Sequence, residues 1–165
     1  MKIIGLHGGH DAAYAILENG LPKKHNELER FNREKGCKGD TLKLFLENES
    51  IDDIAYVTTN STGKWKQYFN YTQQSFESSF PQSKVYIANH HQSHAANAFF
   101  TSQFKDALIV TIDGGGADYK DGRRNSWGDL DTYLGDGGII TSTTFWKGEN
   151  NKISPLKMID KGDFN

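Results

Sequence analysis

Cysteine and proline are scarce in this chain, and long apolar runs are missing from it. Its 165 residues include one cysteine, Cys37, which excludes an internal disulfide framework and a cysteine-rich zinc module. The three prolines leave no proline-rich linker. No stretch approaches the roughly 20 apolar residues of a membrane span, and the first residues, interrupted by Gly5 and His7, do not resemble a signal sequence. We therefore expect a soluble, cytoplasmic protein that does not associate with a membrane.

A surplus of one charge sign is also lacking. The 19 Lys and Arg residues nearly balance the 21 Asp and Glu residues, and the net charge of −2 gives no general reason to expect nucleic-acid binding. The one local surplus lies in residues 21–38, where six Lys and Arg residues face three Glu residues. Such runs are usually solvated loops or edge strands, and a phosphate-facing patch is the alternative.

The order of apolar runs and glycine turns predicts an α/β domain with a mixed sheet and flanking helices. The length leaves room for about one domain. Strands over residues 2–6 and 12–17 are followed by Asn19-Gly20, which favours a hairpin into a third strand over 23–31. Later strands are expected over residues 53–59, 84–88, 107–112 and 139–146, and helices over 41–50, within 64–80 and over 89–103.

Three features of the second half of the chain are also predicted. The run at 107–112 is the most apolar and should be a central strand. The glycine- and aspartate-rich residues that begin at Asp113 should form turns between short strands. The segment from Gly148 to Asn165 is polar and should close the chain without a further strand or helix.

The first candidate site is the loop that follows the first strand. Gly8 and Gly9 let the backbone come close to a bound anion, such as a nucleotide phosphate. Asp11 could orient a metal or a water molecule, and His10 could act as an acid, a base or a hydrogen-bond donor. The alternative is a tight hairpin in which Asp11 bonds its own backbone. The loop lacks the Gly-Lys-Ser/Thr ending of a P-loop.

The second candidate site is the histidine cluster His90-His91-Gln92-Ser93-His94. In a helix that begins near Asn89, His90 and His94 are one turn apart on one face, so both imidazoles can reach one transition metal. His91 should point elsewhere. The alternative is a helix start with histidines as polar surface. A zinc peptidase is excluded because its H-E-x-x-H helix needs a glutamate base where this chain has His91.

The third candidate site directly follows the most apolar strand. Asp113 could supply an oxygen ligand to the metal held by His90 and His94, since two histidines and a carboxylate are a typical catalytic metal set. Gly114, Gly115 and Gly116 would offer backbone amides to phosphate. The alternative is a glycine-rich turn that Asp113 caps.

Four segments together resemble one family. They occur in the order GGHDAAYAI, ELERFNREKG, HHQSHAANAF and ALIVTIDGGGAD. This arrangement resembles the N-terminal part of the carbamoyltransferases of the nodulation-protein-U, cephamycin and tobramycin type. The second segment differs from the family pattern by Leu28 in place of an acid. The resemblance covers nearly the whole chain and is clearest over residues 2–118.

The resemblance implies a fold, a reaction and a ligand set. The fold would be ribonuclease-H-like, of the actin/Hsp70/sugar-kinase (ASKHA) type, with one subdomain in residues 1–105 and the start of a second in 106–165. ATP and carbamoyl phosphate would give carbamoyladenylate, whose carbamoyl group passes to a small-molecule hydroxyl acceptor. The metal would be iron first, with zinc or manganese as alternatives, held by His90, His94 and Asp113. His10 would lie near the reacting carbamoyl group.

The chain also departs from this family. It is much shorter than the family's members, and the other aspartate ligand, the rest of the second subdomain and the adenylate-forming domain lie beyond it. We therefore expect a fragment that is inactive alone. Two other functions stay open: threonylcarbamoyl transfer to tRNA, which the charge balance does not favour, and a non-catalytic metal- or nucleotide-binding fragment. The acceptor and the oligomeric state also stay open, and a sheet edge could pair with a second copy.

Overall fold

The computed structural model describes residues 1–50, 52–59, 73–119 and 138–160. These residues form two compact units, which divide between Ile87 and Ala88. The subdomain boundary predicted after residue 105 concerns two halves of a longer fold, and it stays a prediction. No helix in the described ranges has the length and apolar character needed to cross a membrane.

The first unit contains a mixed five-stranded sheet in the order β3-β2-β1-β4-β5. Its strands are β1 (Lys2–His7), β2 (Ala13–Glu18), β3 (Leu21–Glu27), β4 (Ile54–Thr59) and β5 (Lys84–Ile87). The strands β1, β2 and β3 form an antiparallel meander, whereas β4 and β5 run parallel to β1. Asn19 and Gly20 both adopt positive φ, at 52° and 80°, in the turn between β2 and β3. The predicted α/β class with a mixed sheet is confirmed.

Within residues 1–50, 52–59 and 73–87, three helices accompany this sheet. They are α1 (Glu29–Asn32), α2 (Thr41–Asn48) and α3 (Gln73–Ser79). The Asp40 side chain caps α2, because its Oδ1 accepts a hydrogen bond from the Lys43 backbone N–H at 2.8 Å. The core between sheet and helices is apolar, and its buried members include Ile4, Leu6, Tyr14, Phe45, Val57, Phe76 and Phe80.

The third strand is shorter than predicted. It ends at Glu27 instead of Phe31, and Glu29–Asn32 forms a helical turn. The reason is that the Leu28 N–H bonds the Ala12 carbonyl, while the Leu28 carbonyl accepts from the N–H groups of Phe31 and Asn32. The chain therefore leaves the sheet at Leu28, whose side chain packs against the core.

The second unit packs one helix against a three-stranded antiparallel sheet. The helix α4 spans His90–Phe100, and the strands are β6 (Asp106–Tyr119), β7 (Gly138–Glu149) and β8 (Lys152–Asp160) in that order. Ala95 and Phe99 of α4 pack against Ile109 and Trp146. Gly148 permits this approach, because a Cβ there would lie 2.6 Å from the Phe99 ring. The helix predicted over 89–103 is confirmed in its main part.

Three predictions for this unit are wrong. Residues from Asp113 to Tyr119 continue β6 instead of forming turns, because β7 pairs with them beyond a register shift between Ile112 and Gly116. The segment after Gly148 contains β8, which follows a hairpin in which Asn150 adopts a φ of 54°. The strand β6 lies at an edge of the described sheet, not at its centre. Residues 120–137, expected to be turns, lie outside the described residues.

The most apolar run of the sequence accordingly has one covered face. Ile109 and Thr111 are buried, whereas Leu108 and Ile112 are 66% and 79% exposed. The alternation follows from the twofold period of a strand, since only alternate side chains point towards α4.

Candidate functional site

The helix α4 brings two histidine side chains together. His90 and His94 are four residues apart, so they lie one above the other on one face of the helix. Their Nε2 atoms are 3.1 Å apart, and their rings meet edge to face with centroids 4.7 Å apart. The predicted one-turn spacing is therefore present in the structure.

Asp113 of β6 completes this group from the sheet. Its Oδ2 lies 2.6 Å from the His90 Nε2 and 3.4 Å from the His94 Nε2. The three side chains are about one third to one half exposed, so solvent and small ligands reach the group. Donor atoms from α4 and from β6 thus converge on one partly open point.

The spacing of these donors fits a divalent transition metal. With metal–ligand distances of about 2.1 Å, neighbouring ligand atoms are about 3.0 Å apart in an octahedral site and about 3.4 Å apart in a tetrahedral site. The two contacts of the His94 Nε2, at 3.1 and 3.4 Å, match these values. The 2.6 Å contact between His90 and Asp113 is a hydrogen-bond distance, and it would lengthen by a few tenths of an ångström around an ion.

His91 lies in the core beneath this group. It is fully buried, and its Nδ1 is 2.9 Å from the Thr144 hydroxyl. Thr111 donates from its hydroxyl to the Thr144 carbonyl and accepts from the Trp146 indole N–H, each at 3.2 Å. His91 also has a ring nitrogen in the group with His90 and Asp113, whose ligand atoms all lie within 4.8 Å of one another, and these three residues could hold a metal.

The glycines after Asp113 lie in a strand. Gly114 is exposed, and a Cβ placed on it would have no atom within 4 Å, so a ligand can approach its backbone. Gly115 and Gly116 continue β6, and Gly116 pairs with Thr141. Phosphate binding by these three glycines stays a prediction.

In the first unit, the loop between β1 and β2 holds a histidine–aspartate pair. The His10 Nδ1 bonds the Asp11 Oδ2, and both side chains are mostly exposed. Asp11 adopts a φ of 59°, which an aspartate tolerates better than most residues. Because Nδ1 donates to the carboxylate, the neutral imidazole keeps its Nε2 free to accept a proton.

The two glycines of this loop are buried. The Gly8 carbonyl accepts a hydrogen bond from the Gly39 N–H at 3.2 Å. A Cβ on Gly9 would lie 2.8 Å from the His7 ring, so glycine is needed there for close packing. The nucleotide site at this loop, with Gly8 and Gly9 facing the phosphate and Asp11 orienting a metal or a water molecule, stays a prediction.

Sequence reasoning missed the residue that packs against His10 in the loop between β1 and β2. Gly36, with a φ of 63°, packs against His10, and a Cβ on it would lie 3.1 Å from the His10 Nε2. The Gly36 N–H donates to the Glu29 Oε2 at 3.0 Å. The available signal was the pair Gly36 and Gly39 on either side of Cys37-Lys38, because glycine favours left-handed backbone and close approach. Nothing in the sequence indicated which turn they approach.

Comparisons with known proteins give partial similarity. No family model matches the chain. An uncharacterized protein of Methanocaldococcus jannaschii is 28% identical over 117 residues, which are 69% of this chain and 22% of that protein. An uncharacterized protein of Synechocystis is 33% identical over 66 residues, or 40% of this chain and 7% of its own length.

The third similar protein has a functional name. Nodulation protein NolNO of Sinorhizobium fredii is 46% identical over 43 residues, which are 26% of this chain and 6% of that protein. The chain thus spans about a fifth or less of the length of the curated relatives that it matches. The similarity to this nodulation protein therefore covers about a quarter of the chain.

Proposed function

We propose that this chain is the N-terminal, metal-binding part of an O-carbamoyltransferase. The observation that carries the proposal is the convergence of the His90 Nε2, the His94 Nε2 and the Asp113 Oδ2 within 3.4 Å of one another. The four segments that resemble carbamoyltransferases support it, as does the similarity to a nodulation protein. The strand order of the first unit is compatible with the ribonuclease-H-like fold that this resemblance implies.

His90, His94 and Asp113 would hold a divalent metal, with iron first and zinc or manganese as alternatives. A bound ion of this kind supplies Lewis-acid character and an anchor for phosphate or carbonyl oxygen. The chain's own contribution is to fix three donors on two packed elements, so that little rearrangement is needed on binding.

In the proposed reaction, the carbamoyl group of carbamoyladenylate passes to a hydroxyl acceptor. ATP, carbamoyl phosphate and water supply that adenylate, with release of pyrophosphate and inorganic phosphate. The acceptor oxygen bonds the carbamoyl carbon, the bond from this carbon to the phosphate oxygen breaks, and AMP leaves. The hydroxyl proton passes to the His10 Nε2, while the Asp11 carboxylate bonded to Nδ1 stabilises the resulting imidazolium.

The metal content of the purified chain tests whether His90, His94 and Asp113 bind a metal. Elemental mass spectrometry should find close to one metal ion per wild-type chain and almost none in a His90→Ala/His94→Ala variant. His25→Ala is the matched control, because His25 is an exposed histidine on β3, and it should keep its metal. Equal metal content in the double variant and the wild type would refute the assignment, as would equal losses in the double variant and the control.

Activity is tested separately. We expect the metal-loaded chain alone to release no pyrophosphate from ATP and carbamoyl phosphate, because it spans only 22% of a longer relative. A longer protein that contains this chain should carbamoylate a hydroxyl acceptor, and His10→Ala should abolish the transfer without changing metal content. Full transfer activity in that variant would remove His10 from the proposal.

A further inference from the structure

A buried set of hydrogen bonds lies beneath the candidate metal group, and the proposed function assigns it no task. His91, Thr144, Thr111 and Trp146 are each at most 6% exposed. The Trp146 indole N–H donates to the Thr111 hydroxyl, which donates to the Thr144 carbonyl, and the Thr144 hydroxyl lies 2.9 Å from the His91 Nδ1. A bonded polar network of this kind holds its members rigidly, so the position of the His91 ring is fixed.

The network also fixes which nitrogen of His91 carries the proton. Among the described residues, the His91 Nδ1 is the one hydrogen-bond partner of the Thr144 hydroxyl. Because a buried hydroxyl proton needs an acceptor, Thr144 donates to Nδ1. A nitrogen that accepts has no proton of its own, so the neutral ring carries its proton on Nε2. His91 therefore offers a hydrogen-bond donor, and not a lone pair, at the nitrogen away from Thr144.

Asp113 lies close to this donor. One ring nitrogen of His91 is within 4.8 Å of an Asp113 carboxylate oxygen. Since Nδ1 is bonded to Thr144 on β7, Nε2 is the nitrogen with a hydrogen to offer. The last torsion of an aspartate side chain is soft, so rotation of the carboxylate can bring an oxygen within hydrogen-bond distance of Nε2.

A metal ion at the candidate site would require such a donor. The Asp113 Oδ2 contacts the His90 Nε2 at 2.6 Å. A nitrogen that binds a metal carries no proton, so His90 cannot donate to Asp113 when both are ligands. Carboxylates that bind a metal are themselves held by hydrogen bonds from neighbouring groups. His91 is a fixed, buried donor on the protein side of the group.

We propose that His91 is a positioning residue, which donates from Nε2 to the Asp113 carboxylate and holds it in place for the metal. Thr144 keeps the proton on Nε2. The proposal rests on the proposed function for the presence of a metal, but its hydrogen bond is testable without one. A direct bond from His91 to the metal is disfavoured, because neighbouring residues point about 100° apart around a helix. The rings of His90 and His91 are tilted by 48°, with centroids 5.6 Å apart.

Proton–nitrogen NMR of the metal-free chain tests the hydrogen bond. Long-range correlations of the His91 ring, assigned by their loss in His91→Gln, should show the proton on Nε2. Asp113→Asn should shift Nε2 and its proton, because it removes the charged acceptor. Asp106→Asn is the matched control, since Asp106 is an exposed acid on the same strand, and it should leave these signals unchanged. A proton on Nδ1, or equal effects of the two aspartate variants, would overturn the proposal.

Cobalt(II) binding tests what the hydrogen bond does for the metal. His91→Phe should raise the Kd for cobalt about 10–100-fold, which is the usual effect of removing a partner of a metal ligand. The visible spectrum of bound cobalt should keep its shape, because the ligands stay the same. His91→Gln supplies an amide N–H in place of the Nε2–H and should bring the Kd back to within about threefold of the wild type. Gly148→Ala disturbs the packing of the same unit at Phe99 and controls for general destabilisation.

The outcomes separate this proposal from the proposed function. An unchanged Kd in His91→Phe, or an equal rise in Gly148→Ala, would show that His91 only fills the core. A changed cobalt spectrum in His91→Phe would make His91 a ligand and overturn its role as a donor. A wild-type chain that binds no cobalt would count against the metal centre, and the NMR experiment would still decide whether His91 holds Asp113.

Discussion

Removing one hydroxyl from the core of the first unit should destabilise it measurably. The Tyr14 hydroxyl donates to the Glu49 Oε1 and accepts from the Asn26 Nδ2, each at 2.5 Å. Lys24 donates to the same Glu49 oxygen at 2.6 Å. Tyr14 is 1% exposed, and its ring meets Phe45 edge to face at 5.4 Å. The variant Tyr14→Phe keeps the ring contact and removes both hydroxyl hydrogen bonds.

The expected loss of stability follows from the charge of Glu49, which accepts the hydrogen bond from Tyr14. A hydrogen bond to a charged group contributes about 1.5–3 kcal/mol, so we expect the free energy of unfolding to fall by about 2 kcal/mol. For a chain of this size, that corresponds to a fall in Tm of about 4–8 °C. Urea unfolding followed by circular dichroism should show a lower midpoint and an unchanged m-value.

The pH dependence of the free energy of unfolding provides a second readout. Burial, with the hydrogen bond to Glu49, raises the pKa of Tyr14 from 10.0 to about 12. Between these values the unfolded chain loses the phenolic proton and the folded chain keeps it, so the stability that Tyr14 contributes falls as pH rises. The slope is about 1.4 kcal/mol per pH unit, and Tyr14→Phe should lack it.

A matched control is available on β4. Tyr56 stacks on Tyr86 at 5.9 Å, and its hydroxyl makes no hydrogen bond to any described residue. Tyr56→Phe should therefore change the free energy of unfolding by less than about 0.5 kcal/mol. The reasoning is refuted if Tyr14→Phe also loses less than that, or if both variants lose the same amount.

Three further predictions concern other buried contacts. Burial favours a raised pKa for Glu49, but the hydrogen bonds that its carboxylate accepts from Lys24 and Tyr14 outweigh burial and hold the pKa below 4.5. The charged carboxylate therefore stabilises the fold above that pH, and this stability is lost as pH falls through the lowered pKa. Glu49→Gln should flatten the acid limb of a plot of unfolding free energy against pH. His91→Phe should lower the free energy of unfolding of the metal-free chain by about 1–3 kcal/mol in urea titrations, because it removes a buried hydrogen bond. Gly148→Ala should cost about 1–3 kcal/mol in the same assay through overlap with the Phe99 ring, and a neutral result would show that the ring moves away freely.

Local patterns predicted the first unit well. The Asn19-Gly20 hairpin depends on residues within a few positions of one another, and it is present. The end of β3 could not be read in the same way. It depends on a hydrogen bond from Leu28 to Ala12 and on the packing of Leu28 in the core, which are tertiary contacts.

The glycine-rich stretch shows the limit of such patterns. Glycines usually predict turns, but the residues after Asp113 stay in β6 because β7 offers them backbone partners. The missed strand β8 depended on the turn at Asn150, between polar residues that gave little strand signal. Pairing across a sheet outweighed local preference in both cases.

The contacts of the candidate site likewise divide into those that local sequence predicts and those that tertiary packing determines. The one-turn spacing of His90 and His94 is a property of any helix, so the sequence predicted their approach. The approach of Asp113 follows from its place directly after the apolar run over residues 107–112, which forms the first part of β6. The contact of Gly36 with His10 joins residues 26 positions apart through a loop, and no sequence period reports such a contact.

The three candidate metal donors belong to two separate elements, a helix and a strand. An ion held by His90 and His94 of α4 and by Asp113 of β6 would act as a cross-link between helix and sheet. Binding to the folded state alone adds about 2.7 kcal/mol of stability when the free ion is at 100 times its Kd. The melting temperature of the second unit would then report metal supply, so that a metal-starved cell would hold a less stable, more readily degraded protein.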